Sequence, residues 1–376
     1  MVAAGGLHTA LLRRDGAAVA YGANEFGQCS VPPLAHGLVY TQVSAGSEHT
    51  LLLRSDGTAA ACGWNGDGRC SIPPLPPGLT YTQVSAGADH SVLLRSDGTA
   101  VGFGENDFGG TEVPHLPYDL TYTQVSAGAD HTVLLRSDGT CVACGFDDFG
   151  CCDIPALADG LTYAQVSSGS AHTVFLRSDG VAVARGTPEN GRCDVPDAGS
   201  GLTYIQVAAG AAHTVLLRSD GVAVAFGSND EGQCDIPELP AGLRYTEAVA
   251  GVSHTVLLRS DGAAIACGSN AYGQCSIPPH VRYVGNAKPM SSRPILVLQG
   301  RFSCHRGAHT MHFAMLSGKE RCSLRVLATD ELSTVHLRLM GELKLPVEVV
   351  LPGGDSLSHV LRRHPCVTLE PFIRLQ

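Results

Sequence analysis

The sequence predicts an all-β, seven-bladed β-propeller followed by a small α+β domain. Three observations carry that expectation. The phrase Gln42-Val43-Ser44-Ala45-Gly46-Ser47-Glu48-His49-Thr50-Leu51-Leu52-Leu53-Arg54-Ser55-Asp56-Gly57 recurs around His8, His90, His131, His172, His213 and His254. Successive histidines lie 41 residues apart, with no insertion or deletion between copies. Each copy reads as four short strands, and four antiparallel strands in ~40–45 residues make one propeller blade.

The second copy shows how each strand is read. Tyr40–Ala45 is the first and ends at Gly46. His49–Arg54, the second, is apolar at successive positions, which fits a strand buried on both faces. Ser55-Asp56-Gly57 then marks a hairpin, because Asp and Gly both tolerate positive φ. The third strand, Thr58–Cys62, runs into the loop Gly63-Trp64-Asn65-Gly66-Asp67-Gly68. The fourth, Arg69–Ile72, stops at Pro73-Pro74, since proline cannot donate to a ladder. A β-helix needs shorter repeats, and a helical solenoid needs a 3.6-residue period that is absent.

Closing the ring requires the two ends of the repeat array to meet. The first copy starts at Val2 and lacks the piece that Tyr40–Val43 supplies in the second. Pro278-Pro279-His280-Val281-Arg282-Tyr283 resembles that piece, with Tyr283 in place of Tyr40. Residues 280–284 are therefore expected to complete blade one, and the propeller to span residues 1–284.

Residues 285–307 are expected to be a linker, and 308–376 a second domain. Met311–Leu316 and Cys322–Leu327 read as strands flanking the turn Ser317-Gly318-Lys319. Thr329-Asp330 can cap a helix with Leu332, Val335, Leu339 and Leu343 on one face. Strands at Val347–Leu351 and around Val367–Phe372 complete the pattern. Hairpin, helix, then strands resembles a ubiquitin-like β-grasp domain. That resemblance implies a second docking surface near Val350 and Leu351. The chain ends Arg374-Leu375-Gln376, without the Gly-Gly that conjugation through a C-terminus needs.

Composition narrows the function. The net charge of −10 divides into −15 over residues 1–284 and +5 over the remainder. An acidic body disfavours direct binding to nucleic acid or anionic membrane. No apolar run reaches the ~18–20 residues of a membrane span. Met1-Val2-Ala3-Ala4-Gly5 lacks the basic and apolar segments of a signal peptide. The expected location is cytoplasmic, with the nucleus as the alternative.

Val-Ser-Ala-Gly-x-x-His-Thr, Arg-Ser-Asp-Gly and Gly-x-Asn-x-x-Gly-Gln-Cys together resemble the repeat of the regulator of chromosome condensation family. The copies ending in Ile-Pro or Val-Pro are most similar to its compact bacterial form, which includes a secreted β-lactamase inhibitor. The resemblance covers residues 1–284. Family members include guanine-nucleotide exchange factors, chromatin readers, ubiquitin-ligase modules and inhibitors, so the fold is implied more narrowly than the function.

The recurrent polar residues read as structural. One histidine per blade cannot form a compact metal cage, and each is expected to hydrogen-bond backbone at the start of its strand. Cys29, Cys70, Cys152, Cys193, Cys234 and Cys275 share one register with Thr111. Cys62, Cys144 and Cys267 share another with Tyr21, Phe103, Arg185 and Phe226, as small core residues would. Cys141, Cys144, Cys151 and Cys152 have zinc-like spacing, but Cys141 and Cys144 point to opposite faces of one strand. Arg13, Arg54, Arg95, Arg136, Arg177, Arg218 and Arg259 each precede a Ser-Asp-Gly or Arg-Asp-Gly turn and are expected to pair with its aspartate or to pack their stems, not to form a binding patch. No catalytic set, cofactor or metal site is expected.

The variable loop positions carry the candidate site. Strand direction reverses at each turn, so the Ala-Gly-x-x-His turn and the Gly-x-Asn-x-x-Gly loop emerge on one face. There the sequence places the aromatics Phe26, Trp64, Phe108, Phe146, Phe149 and Tyr272. Among them stand Asp67, Glu105, Asp107, Asp148, Asp230 and Glu231, with Glu25, Glu48, Asp89, Asp130 and Asp147 close in sequence. Aromatic anchors amid like charge suit a protein partner with a basic surface. The expected function is a non-enzymatic interaction module. The alternatives are a ubiquitin-ligase adaptor or fragment, with ubiquitin-system partners, and a guanine-nucleotide exchange factor for a small GTPase. The exchange factor of the family uses an inserted β-wedge, which strict 41-residue spacing leaves no room for. The 92 residues after the ring are too few for a HECT-type catalytic domain.

Overall fold

In the computed structural model the chain separates into two compact units, Met1–Asn286 and Ala287–Gln376. The structure describes residues 1–279 and 281–283, together with the backbone of five strands in the second unit. Among the described residues no helix is long and apolar enough to cross a membrane.

The first unit holds seven three-stranded antiparallel sheets, one per repeat. In the second repeat the strands are Tyr40–Ala45, His49–Arg54 and Ala59–Gly63. The fourth strand expected at Arg69–Ile72 does not form. Its backbone donors are used locally instead: Cys70 N–H binds Asn65 Oδ1 at 2.9 Å, Ser71 N–H binds Gly68 O at 2.9 Å, and Ile72 N–H binds Cys70 O at 3.0 Å. With these groups satisfied and Pro73-Pro74 following, residues 70–74 offer no donor to extend the ladder. The hairpin also differs from the expected two-residue turn. Arg54 N–H binds Thr58 O while Gly57 N–H binds Arg54 O, so three residues close it and only Gly57 takes a positive φ, 78°.

Alternate side chains of one strand feed different cores. Leu52 packs with Ala10, Leu12 and Tyr40 between blades one and two. Leu51 and Leu53 pack with Tyr81, Val84 and Leu93 between blades two and three. A strand buried on both faces needs apolar residues at every position, which accounts for the unbroken run in the second strand.

Closure of the ring is visible in three circuits of contacts. Around the axis, Ser47 N–H binds Ala88 O and Ala88 N–H binds Gly128 O; the series ends with Val252 N–H on Gly5 O at 3.1 Å. A Cβ on Gly46 would stand 2.4 Å from Gly87 O, so glycine is required by this approach. Farther out, Gln42 Oε1 accepts Val84 N–H at 2.7 Å and Gln83 Oε1 accepts Val125 N–H at 3.0 Å. Glu247 replaces glutamine at the final step and accepts Val2 N–H at 3.1 Å. One cavity, with about 430 Å³ of empty space, is lined by the Ala-Gly turn of every copy from Ala4–Gly6 to Ala250–Val252.

The third circuit is made of histidines. Each Nε2 meets the hydroxyl of the next blade: His8 on Thr50, His49 on Ser91, and so on to His254 on Thr9, all at 2.8–2.9 Å. Backbone acceptors, expected from the sequence, enter one step later. Thr50 donates to Gln28 O at 2.8 Å, and Thr9 to Gln274 O at 2.8 Å. Because the hydroxyl spends its one proton on a carbonyl, the imidazole must be the donor and carries its proton on Nε2.

Blade one is completed from both ends of the array. Val2–Ala4 forms its first strand, and Tyr283 bridges Arg13 as Tyr40 pairs with Arg54 in blade two. Tyr283 N–H binds Gly262 O at 2.8 Å, and its ring is packed with Val2, Leu11 and Leu258.

The expected arginine–aspartate pairing holds in four copies. Arg13, Arg177, Arg218 and Arg259 pair with Asp15, Asp179, Asp220 and Asp261. In the other three a threonine follows the glycine and takes the carboxylate. Thr58, Thr99 and Thr140 donate both N–H and O–H to Asp56, Asp97 and Asp138.

In the second unit, Arg301–His305, Ala308–Ala314 and Arg321–Val326 form an antiparallel sheet. Ile295–Val297 pairs in parallel with Glu348–Val350. Strands thus occupy part of the segment expected as a linker. The hairpin expected for a ubiquitin-like domain is extended into a three-stranded meander by Arg301–His305. The expected helix and final strand lie outside the described residues. A ubiquitin-like assignment therefore has no support in the structure. Val350 ends its strand, and Leu351 lies outside the described residues.

Candidate functional site

The turn and loop expected to share a face do so. Trp64 N–H binds Glu48 O at 2.9 Å, Glu105 N–H binds Asp89 O at 3.0 Å, and Phe146 N–H binds Asp130 O at 2.9 Å. Each loop is thereby tied to the turn before its own second strand. The Asp-Gly turns and Pro-rich connectors meet elsewhere: Tyr40 N–H binds Gly16 O, and Tyr40 O–H binds Pro32 O at 2.8 Å.

The aromatics gather along an arc of five adjacent blades. Phe26 of blade one meets Trp64 of blade two edge-on, with ring centroids 5.2 Å apart. Phe108 of blade three meets Phe146 of blade four at 5.1 Å, and Phe146 meets Phe149 at 5.6 Å. Phe108 and Phe149 remain 53% and 54% exposed, while Phe146 is the partly buried centre of the cluster. Tyr272 is 51% exposed on blade seven, which adjoins blade one through ring closure. Leaving such rings in water forgoes burial worth ~25 cal/mol per Å², which is what a partner surface would recover.

Acidic groups concentrate beside the Phe cluster. Asp107 and Asp148 are exposed, and Glu105 is partly covered. Desolvation, then Asp89, Asp107, Asp67 and Asp130, holds the Glu105 carboxyl above its usual range. Asp130 is raised as well, by desolvation and then by Asp89. Two of the expected acids are partly spoken for: Asp67 pairs with Arg69 at 2.6 Å, and Asp230 accepts from Ser228 Oγ at 3.1 Å. Glu231, on the same exposed loop as Asp230, is distant in blade order from the Phe cluster. Blades two to four therefore carry the sector where charge and aromatic surface coincide.

Position 69 and its equivalents carry a feature that loop composition concealed. Arg69 is 3% exposed, yet it sits between Asp67 and Asp89 and reaches Ala88 O at 3.3 Å. Gln28, Gly110, Cys151, Arg192, Gln233 and Gln274 fill the same register. Aligning the copies exposes this variation, but only the fold shows that the residue plugs the crevice between neighbouring blades.

The cysteines are free thiols wherever their side chains are described. Burial pushes Cys29 up to about 11 and Cys62 up to about 12, so neither is a poised nucleophile. Of the zinc-like set, the ligand atoms of Cys151 and Cys152 come within 4.8 Å of each other and of Asp147. Cys141 and Cys144 are not in that group. Asp147 already accepts Cys152 N–H at 2.7 Å, which is the loop-closing role of Asn65 in blade two. The central cavity offers only Ala, Gly, Ser and Val side chains, so no titratable group faces it.

A closed ring of sheets that presents aromatic and acidic loops on one face belongs to the propeller class. Six segments, residues 2–28, 40–69, 81–109, 122–151, 204–233 and 246–274, match the Regulator of chromosome condensation (RCC1) repeat. The propeller thus carries RCC1 repeats. The fifth copy lies outside the matched segments; there Gly186-Thr187-Pro188 and a short 3-10 turn stand where the others have Gly-x-Asn, so proline replaces the asparagine, although the sheet is intact. Among solved structures, human WBSCR16 is similar at 17% identity with TM-score 0.58, over 68% of this chain and 85% of that one. The CRINKLY WD40 ectodomain of the Arabidopsis thaliana receptor kinase ACR4 is similar at 19% identity with TM-score 0.57, over 74% and 97%. The ectodomain of the Physcomitrella patens receptor kinase CR4 follows at 16% and 0.57, over 82% and 80%. These likenesses concern the fold alone. No curated protein matches the chain.

Proposed function

We propose that the chain is a non-enzymatic interaction module whose loop face holds a protein partner with a basic surface. The observation that carries this reading is the coincidence, on blades two to four, of half-exposed rings (Trp64, Phe108, Phe149) with the carboxylates of Glu105, Asp107 and Asp148. Rings that keep half their area in water favour burial by another protein, and the surrounding charge selects its sign. The reading places the chain in the cytoplasm or nucleus. The second docking surface at Val350 and Leu351 rests on the sequence resemblance alone.

Affinity capture with the intact chain at low and moderate salt, followed by mass spectrometry, identifies the partner. Replacing Trp64, Phe108 and Phe149 with Ala together should weaken its binding at least about a hundredfold, as expected for central aromatic anchors. Melting should shift by only a few degrees, since each of the three rings already keeps about half its area in water. A folded triple mutant that captures the partner as well as the native chain would end this assignment of the face.

A further inference from the structure

We infer that the crevice between blades three and four is a socket for the guanidinium of an arginine side chain supplied by a protein partner. This deepens the interaction reading above and rests on it. The socket exists because Gly110 stands where every other blade has a side chain. It is a crevice open to solvent, about 210 Å³ when that open space is counted, bounded by Asp89, Glu105, Asp107, Phe108, Ala129 and Asp130.

Two sister blades show what such a crevice accepts. In blade two Arg69 enters it from the chain's own loop, with its guanidinium 2.5 Å from Asp89 Oδ1 and 3.3 Å from Ala88 O. In blade five Arg192 does the same, donating to Ala211 O at 3.1 Å and pairing with Glu189 at 3.5 Å. Both arginines are more than nine-tenths buried, at 3% and 6% exposure. Counting by the 41-residue period, Ala88 and Ala211 correspond to Ala129, Asp89 to Asp130, and Glu189 to Asp107. All three counterparts line the crevice beside Gly110. These counterparts of the acceptors for an internal guanidinium are therefore present in blade three without one, although Phe108 stands where blade two has Asp67, the second carboxylate on Arg69. Glu105 adds a carboxylate where blade two has Trp64 and blade five has Thr187.

The charge and shape agree with an incoming arginine. A planar guanidinium can donate to Ala129 O and to two carboxylates at once, which an ammonium on a flexible stem does less well. Phe108 at the rim offers a ring face or edge for the aliphatic stem. Gly110 does not have a positive φ, and a Cβ there would lie 3.1 Å from Asp130 O. Filling the socket with Arg from within thus demands only a small adjustment.

The test uses the full chain and N-acetyl-arginine amide, with N-acetyl-citrulline amide as its uncharged isostere, followed by NMR of the backbone amides. The arginine compound should move the Gly110, Phe108 and Asp130 resonances saturably, and citrulline should not. Gly110→Arg should abolish the shifts, as should the double variant Glu105→Gln with Asp130→Asn, which guards against misfolding of the first. No shift with the arginine compound, equal shifts with citrulline, or shifts that persist in both variants would overturn the socket. Gly110→Arg retains Trp64, Phe108 and Phe149. If it captures the partner normally while the triple alanine variant does not, the socket falls and the interaction face stands.

Discussion

Acidification from pH 7 to 5 is expected to unfold the ring. Burial lowers His8, His90, His213 and His254 to about 4, and His49 and His172 to about 3, from an ordinary 6.5. Each imidazole is sealed between blades, where the charged form loses its water. The folded state therefore resists protonation, whereas the unfolded chain takes up protons once the pH falls below 6.5. Stability is complete above that value and declines as the pH drops toward the folded-state values near 4. By pH 5, about 1.5 pH units below the unfolded value, roughly 2 kcal/mol per histidine is lost, and the full gap of about 2.5 units is lost only below pH 4. Six such groups together rival the ~5–15 kcal/mol that holds a typical domain folded. Urea unfolding followed between pH 7.5 and 5 should show uptake of roughly five protons per molecule near pH 5, read from the slope of stability against pH. A stability profile flat over that range would show that the histidines do not titrate on unfolding.

Replacing Tyr283 with Ala should be the most damaging single truncation at the ring's seam. The side chain is 1% exposed and joins a core made from the first and last repeats. Loss of a fully buried aromatic costs about 3–5 kcal/mol, from lost transfer energy and from the cavity left behind. In a propeller of this size that lowers the melting temperature by roughly 5–8 °C. Tyr283→Phe should be nearly neutral, because the hydroxyl's contact is a long one, 3.5 Å to Tyr21. Deleting residues 281–283 should be at least as severe as the alanine change. If calorimetry found no change in melting for Tyr283→Ala, the ends of the array would not be clasped here.

Much of this was legible in the residues. Strict spacing of the histidines gave the blades, the Asp-Gly pairs gave the hairpins, and Tyr283 pointed to the seam. Side chains spaced by reversing strands placed Trp64, Phe108 and Phe149 on one face. The fourth strand was misjudged because Asn65 and Gly68 satisfy the backbone of residues 70–71 locally, and strand propensity carries no record of that competition. The histidines were read as bonding backbone directly, although a hydroxyl 42 residues onward intervenes. The contrast between Arg177–Asp179 and Thr140–Asp138 depends on one residue after the glycine, so it could have been read from sequence.

By itself the sequence determined the repeat, its turns and the alternation that turns apolar side chains toward two neighbouring cores. These are consequences of local geometry, which repeats whenever the residues repeat. Only the tertiary structure decided what meets across a blade boundary: imidazole with hydroxyl, Glu247 with Val2, and the crevice beside Gly110 with the carboxylates around it. Those pairings join residues a full repeat or more apart, and their chemistry depends on where the backbone brings them. An arginine in one blade and a glycine in the next look like ordinary loop variation until the ring closes around the space between them.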